Sequence, residues 1–335
     1  MNYYLRNIII ALLLLTINSK VKAQDGQQND YTDYHVHLQD SATVQLGYRM
    51  LKAIGQTPTK VDSIVFDADT IIERLDKAKF KSAWILSNAY WFGSPLTPID
   101  NEYEQVKQEN DWTAEQAARY PDRLHAFMSV NPLKPYTLKE IQRCIDSKRF
   151  TGLKLHFANS KINLFDKSQV AQLKKVFALA NKNRLPMLIH FRSGQKWDGI
   201  ANTTILLNQL MPLARDTKVV IAHMAGWGGY DKPMHAALAL FVEYIHQNNS
   251  YSKNLYLEVS AVLPLTLNED YKPAKNKSDW DPIIALNKRI NQIGASHILF
   301  GTDWPLIDID PYIGLLNKAF GESVVQQILR NRIEF

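Results

Sequence analysis

The sequence predicts an α/β fold, a (β/α)8 TIM barrel, because short apolar runs alternate with helical patterns along its whole length. Several of the apolar runs are rich in Leu or β-branched residues and lack polar alternation, which is typical of parallel strands covered by helices. The eight predicted strands are Tyr31–Leu38, Ser82–Leu86, Leu124–Val130, Gly152–Phe157, Pro186–Phe191, Val219–His223, Leu255–Val259 and Ile298–Thr302.

Segments with apolar residues at helical spacing lie between these strands. They include Thr70–Lys79, Ser168–Asn183, Thr203–Ala214, Met234–Asn248 and Pro282–Ile293. Asn183, Asp216 and Gly294 mark helix ends. An open, doubly wound sheet would show the same alternation, so this pattern alone does not separate the two architectures.

The first 23 residues predict a secretory signal peptide. Arg6 supplies a positive charge, Ile8–Leu15 form a short apolar run, and Ala23 offers a small residue for cleavage. The run is shorter than the roughly 20 apolar residues that span a membrane, although an uncleaved N-terminal anchor remains the alternative. We therefore expect a secreted or periplasmic protein with one barrel domain over residues 30–335 and no membrane association after cleavage.

Composition narrows the classes of partner. The formal net charge is +6 for the whole chain, and the predicted signal peptide carries three of those charges. A mild charge with scattered lysines does not indicate a nucleic-acid or anionic-lipid partner, so we expect a small-molecule substrate. Cys144 is the single cysteine, which excludes an internal disulfide, so stability must come from packing, helped by a bound metal if there is one.

Histidines at strand ends indicate a metal site. His35 and His37 lie two residues apart on the first predicted strand, so their side chains project to the same face. Two neutral imidazoles on one face make half of a divalent metal site. His190, His223 and Asp303 end three more apolar strands, where a buried, unpaired polar group would be costly. A closed barrel gathers four such ends around one axis, which favours the barrel over the open sheet.

The residue types suggest roles at such a site. A catalytic zinc ion keeps one position for water and lowers the pKa of that water to roughly 7. Asp303 could ligate the metal, accept the proton of the water, or do both. His223 could activate the water or stabilise charge on a substrate oxygen.

Five motifs together resemble the amidohydrolase superfamily. They are Asp33-Tyr34-His35-Val36-His37, Gly152-Leu153-Lys154-Leu155-His156, His190, Ile221-Ala222-His223-Met224-Ala225-Gly226 and Phe300-Gly301-Thr302-Asp303-Trp304-Pro305. The set is most similar to the amidohydrolase-related branch with aminocarboxymuconate semialdehyde decarboxylase-like and lactonase-like enzymes. The resemblance implies His35, His37, His190 and Asp303 as metal contacts, with His223 positioning or deprotonating the water. It leaves a homodimer open, because barrels of this branch often dimerise.

Lys154 bears on the number of metal ions. In binuclear members of the superfamily a lysine on this strand is carboxylated and bridges two metals, whereas one metal usually suffices in the branch resembled here. We expect Lys154 to contact a substrate anion or to form a salt bridge instead. The expected cofactor is one divalent ion, Zn²⁺ ahead of Mn²⁺.

Other residues near the strand ends are candidates for substrate binding. His156 is expected to contact substrate or to orient a ligand through a hydrogen bond. Arg192 shares the face of His190 and would hold a substrate carboxylate or form a loop salt bridge. Trp91, like Phe92, Trp197, Trp227 and Trp304, follows a strand end and would line an aromatic pocket or pack between helix and barrel.

These residues predict first a hydrolase that attacks a small carboxylate-bearing ester, lactone or amide with metal-activated water. The alternative is a metal-dependent non-oxidative decarboxylase of an unsaturated or aromatic acid. Export favours hydrolysis of a scavenged nutrient. A non-catalytic binding protein on the same scaffold would lack a ligand, and none is missing from the motifs.

Overall fold

The computed structural model describes residues 29–333, except 54, 56, 59–60, 195, 227–228, 248–250 and 264–280. The predicted signal peptide and Trp227 therefore lie outside the described residues. Among the helices that are described, none has the length and apolar character needed to cross a membrane.

Eight parallel strands form one sheet in chain order, which confirms the predicted barrel. They are β1 (Asn29–Val36), β2 (Phe80–Leu86), β3 (Leu124–Ser129), β4 (Gly152–His156), β5 (Met187–His190), β6 (Val219–Ile221), β7 (Leu255–Glu258) and β8 (Ile298–Leu299). Backbone hydrogen bonds join the first strand to the segment that follows the last strand: Tyr34 N–H donates to the Phe300 carbonyl at 3.0 Å, and Asp303 N–H donates to that of His35 at 2.8 Å.

Helices cover the outside of the barrel. They are α1 (Ser41–Ala53), α2 (Ala68–Lys77), α3 (Ala89–Phe92), α4 (Glu102–Ala118), α5 (Thr137–Asp146), α6 (Lys167–Lys182), α7 (Gly199–Ile205), α8 (Lys232–His246), α9 (Pro282–Ile293), α10 (Ile309–Phe320) and α11 (Glu322–Arg330). Many begin at an aspartate whose carboxylate accepts a backbone N–H of the first turn, as Asp166 does for α6 and Asp231 for α8.

Seven of the eight strands end earlier than the sequence predicts, three of them by two or three residues. β1 ends at Val36, β6 at Ile221 and β8 at Leu299, so His37, His223 and Asp303 lie just beyond the sheet. His223 has φ 55° and Asp303 has φ 61°, a left-handed conformation that cannot continue a strand. The apolar runs locate the strands, but the backbone turns away where the polar residues begin.

An apolar cluster fills the lower half of the barrel interior. Trp84 stacks on Phe127 with ring centroids 4.2 Å apart, and Tyr34 meets the Trp84 ring edge-on at 4.7 Å. Gly152 makes room for this packing, because a Cβ there would lie 2.1 Å from the Phe127 ring. Leu188, Val220 and Leu299 complete the cluster. The interior is therefore closed from below, and any site must lie above this layer.

Candidate metal centre

Polar side chains form the layer above the apolar cluster. Alternate residues of a strand face the same side, so on β5 His190 lies above Leu188, and on β7 Glu258 lies above Tyr256. Lys154 and His156 occupy the same face of β4. The carboxyl ends of the strands thus bring ionisable groups together at the upper end of the barrel.

Three of the predicted metal ligands converge. His35 Nε2 lies 3.2 Å from Asp303 Oδ1, and His37 Nε2 lies 3.7 Å from the same oxygen. One potential ligand atom from each residue lies within 4.8 Å of those of the other two. The geometry suits a single small cation held by two imidazoles and a carboxylate.

Hydrogen bonds fix which nitrogen each histidine offers. His35 Nδ1 lies 2.7 Å from Glu258 Oε1, and His37 Nδ1 lies 2.9 Å from the Leu86 carbonyl. Both partners accept, so each ring carries its proton on Nδ1 and presents the lone pair of Nε2 toward Asp303. Donation from the second ring nitrogen to an oxygen acceptor is the usual arrangement of a metal-binding histidine.

Burial sets the charge states of these groups. Burial lowers the pKa of His37 to about 4, and burial together with the nearby Lys154 holds the pKa of His35 well below its usual range. Burial raises the pKa of Asp303, but His35, His223 and His37 more than compensate, so its pKa falls below the usual value. Two neutral imidazoles and an ionised carboxylate are the protonation states that a metal requires.

His190, the fourth predicted ligand, lies beside this group. Its ring stacks on that of His156 with centroids 3.9 Å apart and an interplanar angle of 10°, and it meets the His223 ring at 4.9 Å. Among the described residues it does not join the 4.8 Å group of His35, His37 and Asp303.

His223 is held in a constrained position. Its backbone is left-handed, as are those of Met224 and Ala225, and strained backbone of this kind concentrates at functional sites. Its Nδ1 donates to the Ser260 carbonyl at 3.0 Å, which leaves the lone pair on Nε2. Its ring centroid lies 4.9 Å from that of His35. His223 can therefore accept or return a proton beside the candidate metal.

Glu258 and Ser260 also belong to the site, although they were not predicted from the sequence. Glu258 is fully buried and bonds to His35, and Ser260 Oγ lies 2.8 Å from His223 Nδ1. The signal for Glu258 is the same one that revealed His190: a polar residue ends the apolar run Leu255-Tyr256-Leu257. Ser260 follows the strand in an ordinary loop context and gives no comparable signal.

Gly301 allows the segment after β8 to approach this network. A Cβ at this position would lie 2.8 Å from Glu258 Oε2 and 3.0 Å from the Cβ of His35. Only a glycine fits there without displacing the carboxylate or the ligand.

Lys154 lies inside the polar layer, next to a predicted ligand. Its Nζ is 3.0 Å from His35 Nε2, and only 1% of the residue is exposed. Burial lowers the pKa of Lys154 to about 8, against the opposing influence of Asp303 and Glu258.

His156 presents the opposite tautomer from the ligands. The backbone N–H of Asn159 donates to its Nδ1 at 3.2 Å, so its Nε2 carries the proton and acts as a donor. Tyr90 stacks on the other face of the ring at 4.8 Å. Tyr90, His156 and His190 therefore form a continuous aromatic stack.

Arg192 and Trp91, the other two predicted substrate contacts, have partners in the loops. Arg192 pairs with Asp231 at 2.7 Å and lies over the ring of Trp197 at 5.7 Å. Trp91 lies against Gly47 of α1. A Cβ at Gly47 would be 3.4 Å from the Trp91 ring. The neighbouring Tyr90, rather than Trp91, stacks on His156.

The sequence model of the amidohydrolase family matches residues 32–331, and the chain belongs to this family. The family assignment made from the five motifs is thereby confirmed, including the branch that holds decarboxylases.

Two curated relatives are γ-resorcylate decarboxylases. The protein from Polaromonas sp. (strain JS666) is 26% identical over 233 residues, which cover 62% of this chain and 68% of the relative. The protein from Rhizobium radiobacter is 25% identical over 232 residues, covering 62% and 67% respectively.

Solved structures share the fold. The 5-carboxyvanillate decarboxylase from Sphingomonas paucimobilis superposes with a TM-score of 0.62 at 14% identity, covering 90% of this chain and 96% of the other. A dihydroxybenzoic acid decarboxylase from Polaromonas sp. JS666, solved with manganese and the inhibitor 2-nitroresorcinol, gives 0.61 at 17% identity, covering 90% and 94%.

The expectation that this protein is a hydrolase is wrong, because the relatives found are decarboxylases. The error has a physical reason. A metal held by histidines and a carboxylate can polarise the carbonyl oxygen of an ester or amide as well as the oxygens of an aromatic acid, so the ligands alone do not identify the bond that breaks.

Proposed function

We propose that this protein is a metal-dependent, non-oxidative decarboxylase of a small aromatic acid. One observation carries the proposal: the Nε2 lone pairs of His35 and His37 converge on Asp303, in a chain whose relatives are γ-resorcylate decarboxylases. His223 lies beside this group with a ring nitrogen available for proton transfer.

A divalent cation would be held by His35, His37 and Asp303, with His190 adjacent. When bound, the cation supplies a Lewis acid that polarises the oxygens of the substrate. We propose Mn²⁺ ahead of Zn²⁺, because the Polaromonas structure was solved with manganese. One ion per chain fits the group formed by His35, His37 and Asp303, since the other group of converging ligand atoms, His35, His223 and Glu258, shares His35 with it.

The reaction requires one proton at the ring carbon that loses CO₂. The bond between the ring carbon and the carboxylate carbon breaks, CO₂ leaves, and the electron pair stays on the ring carbon, which takes up one proton. His223 is our candidate proton carrier, because Ser260 holds its Nδ1 and leaves Nε2 to carry the transferred proton. Solvent restores that proton after each turnover.

The surrounding side chains suit a flat anion. The stack of Tyr90, His156 and His190 presents ring edges, against which an aromatic ring can pack edge-to-face. Lys154 supplies a cationic group, and Nε2 of His156 supplies a donor, for the carboxylate or a ring hydroxyl.

We also propose export, with removal of residues 1–23. The apolar run Ile8–Leu15 and the small residue Ala23 support it. The mass of the mature protein, expressed with its full N-terminus, checks the cleavage point.

A substrate panel tests the proposed activity. The metal-stripped protein is incubated with 2,6-dihydroxybenzoate, 5-carboxyvanillate, a lactone series and an amide series, each with Mn²⁺, Zn²⁺ or no metal. We expect CO₂ release from an aromatic acid, restored by Mn²⁺ and absent in Asp303→Asn. Hydrolysis of a lactone or amide without CO₂ release from any acid would contradict the proposal.

A further inference from the structure

We propose that Glu258 is a positioning residue that aligns the metal ligand His35 and the proton carrier His223 through one buried carboxylate. The part of this proposal that concerns His223 rests on the proposed decarboxylase function. The part that concerns His35 requires only that the site bind a divalent cation.

Glu258 accepts four hydrogen bonds from three residues. Its Oε1 accepts from His35 Nδ1 at 2.7 Å, from the His223 backbone N–H at 3.0 Å and from Ser260 Oγ at 2.8 Å. Its Oε2 accepts from the Ser260 backbone N–H at 2.5 Å. The side chain is fully buried. The two histidines are therefore tied to a single rigid acceptor.

The contact with His35 sets the ring for metal binding. A carboxylate can only accept, so it keeps the proton of His35 on Nδ1 and the lone pair on Nε2. The bond also raises the basicity of the ring as a ligand and fixes its rotation. Removing the charge from Glu258 should therefore weaken the binding of a cation by His35.

The contact with His223 acts on the backbone. His223 has φ 55°, and this turn directs its N–H toward Glu258. Ser260 adds a second link, since its hydroxyl donates to Glu258 and lies 2.8 Å from His223 Nδ1. Glu258 thus supports a strained conformation that places the imidazole at the site.

Glu258→Gln tests the proposal with little change in shape. The amide replaces one acceptor by a donor, so at least one of the four N–H or O–H groups faces another donor. We expect the Kd for Mn²⁺, measured by calorimetry on metal-stripped protein, to rise about 10- to 100-fold. We expect kcat at saturating Mn²⁺ to fall while KM changes little, because Glu258 has no proposed contact with substrate.

Glu109→Gln is the matched control. Glu109 is also buried, and its carboxyl group accepts from the Asn88 backbone N–H at 3.0 Å and from Thr43 Oγ1 at 3.0 Å, neither of which belongs to a site histidine. We expect this variant to bind Mn²⁺ as the unmodified protein does, within about twofold. Glu258→Asp keeps the charge but shortens the reach, so it should recover part of the lost affinity and an intermediate kcat.

Two results would overturn the proposal: a Kd for Mn²⁺ unchanged in Glu258→Gln, or an equal weakening in Glu109→Gln. If the glutamine variant does not fold, an unchanged Kd and kcat in Glu258→Asp overturns it. Should the unmodified protein release CO₂ from no acid, the proposed function fails, yet the Mn²⁺ measurement still decides the role of Glu258 at His35.

Discussion

The lower and upper layers of the barrel interior are built from the same strands but have opposite character. On β5, the apolar Leu188 and the candidate ligand His190 are two residues apart and face the same side. The lower layer is a packed apolar cluster, and the upper layer holds imidazoles, carboxylates and a lysine. Stability and chemistry are thus separated along the barrel axis rather than between domains.

The lower layer also shapes the chemistry above it. The stacked rings of Trp84 and Phe127 close the barrel from below, so the upper groups are buried. Burial lowers the pKa of His37 to about 4 and that of Lys154 to about 8. An apolar floor therefore keeps the ligand histidines neutral and ready for a cation at neutral pH.

Loss of a ligand in the upper layer should have the largest effect. His37→Ala removes an imidazole whose Nε2 lies 3.7 Å from Asp303 Oδ1. We expect the Kd for Mn²⁺ to rise by more than about 100-fold, with activity lost in parallel, because the effect of losing a ligand should exceed that of losing its hydrogen-bond partner. Calorimetry and a CO₂ assay check this. A variant that binds Mn²⁺ normally would remove His37 from the ligand set.

Loss of the proton carrier should separate metal binding from activity. His223→Ala should keep the metal and lower kcat by about 10²- to 10⁴-fold, the usual contribution of a positioned acid or base. Metal content and kcat are measured on the same preparation. If this variant loses metal as completely as His37→Ala does, the role assigned to His223 is wrong.

A cavity in the lower layer should affect stability and leave metal binding almost unchanged. Leu188→Ala removes a fully buried side chain, which should lower the free energy of unfolding by about 2–5 kcal/mol. Urea denaturation measures this change, and Ile189→Val, on the outward face of β5, is a milder control at about 0.5–1.5 kcal/mol. A large rise in the Kd for Mn²⁺ in Leu188→Ala would show that the two layers are not separable.

Two glycine-to-alanine substitutions compare a crowded position near the site with an open position on a helix. In Gly301→Ala the new Cβ would lie 2.8 Å from Glu258 Oε2, so we expect weaker Mn²⁺ binding and a stability loss of about 1–3 kcal/mol. Gly314→Ala in α10 meets nothing within 4 Å and should stabilise the helix by about 0.5–1 kcal/mol. Equal effects of the two substitutions on Mn²⁺ affinity would refute the role of Gly301.

A buried carboxyl group outside both layers should make stability depend on pH. Burial, with a smaller contribution from Asp40, raises the pKa of Glu109 from 4.5 to about 8. The folded state therefore binds this proton more tightly than the unfolded state, and stability should fall as pH rises between 4.5 and about 8, by at most about 1.4 kcal/mol per pH unit. Urea denaturation across this range should show a weaker pH dependence in Glu109→Gln. An unchanged pH dependence of stability in this variant would contradict the raised pKa of Glu109.

Much of the fold was predictable from local patterns. Apolar runs located all eight strands, and the starts of β3, β4 and β6 agree with the predicted residues. The upper strand ends were not predictable, because His223 and Asp303 leave the sheet in left-handed conformations that depend on contacts between distant segments. One such contact is the bond from Asp303 N–H to the His35 carbonyl.

The site was predictable in part. Polar residues at the ends of apolar strands revealed His35, His37 and Asp303, and the structure brings these three together. Glu258 shows the same signal and was overlooked, whereas Ser260 has no local signal at all. The reaction was not predictable, because related barrels can place the same ligands against different substrates.

Elemental analysis of the purified protein tests the central claim, that the carboxyl ends of these strands form one metal centre. We expect one divalent ion per chain in the unmodified protein and little or none in His37→Ala. A protein that retains no divalent metal after growth and dialysis with Mn²⁺ would contradict it. Two ions per chain would contradict it as well, because His35, His37 and Asp303 converge on one point.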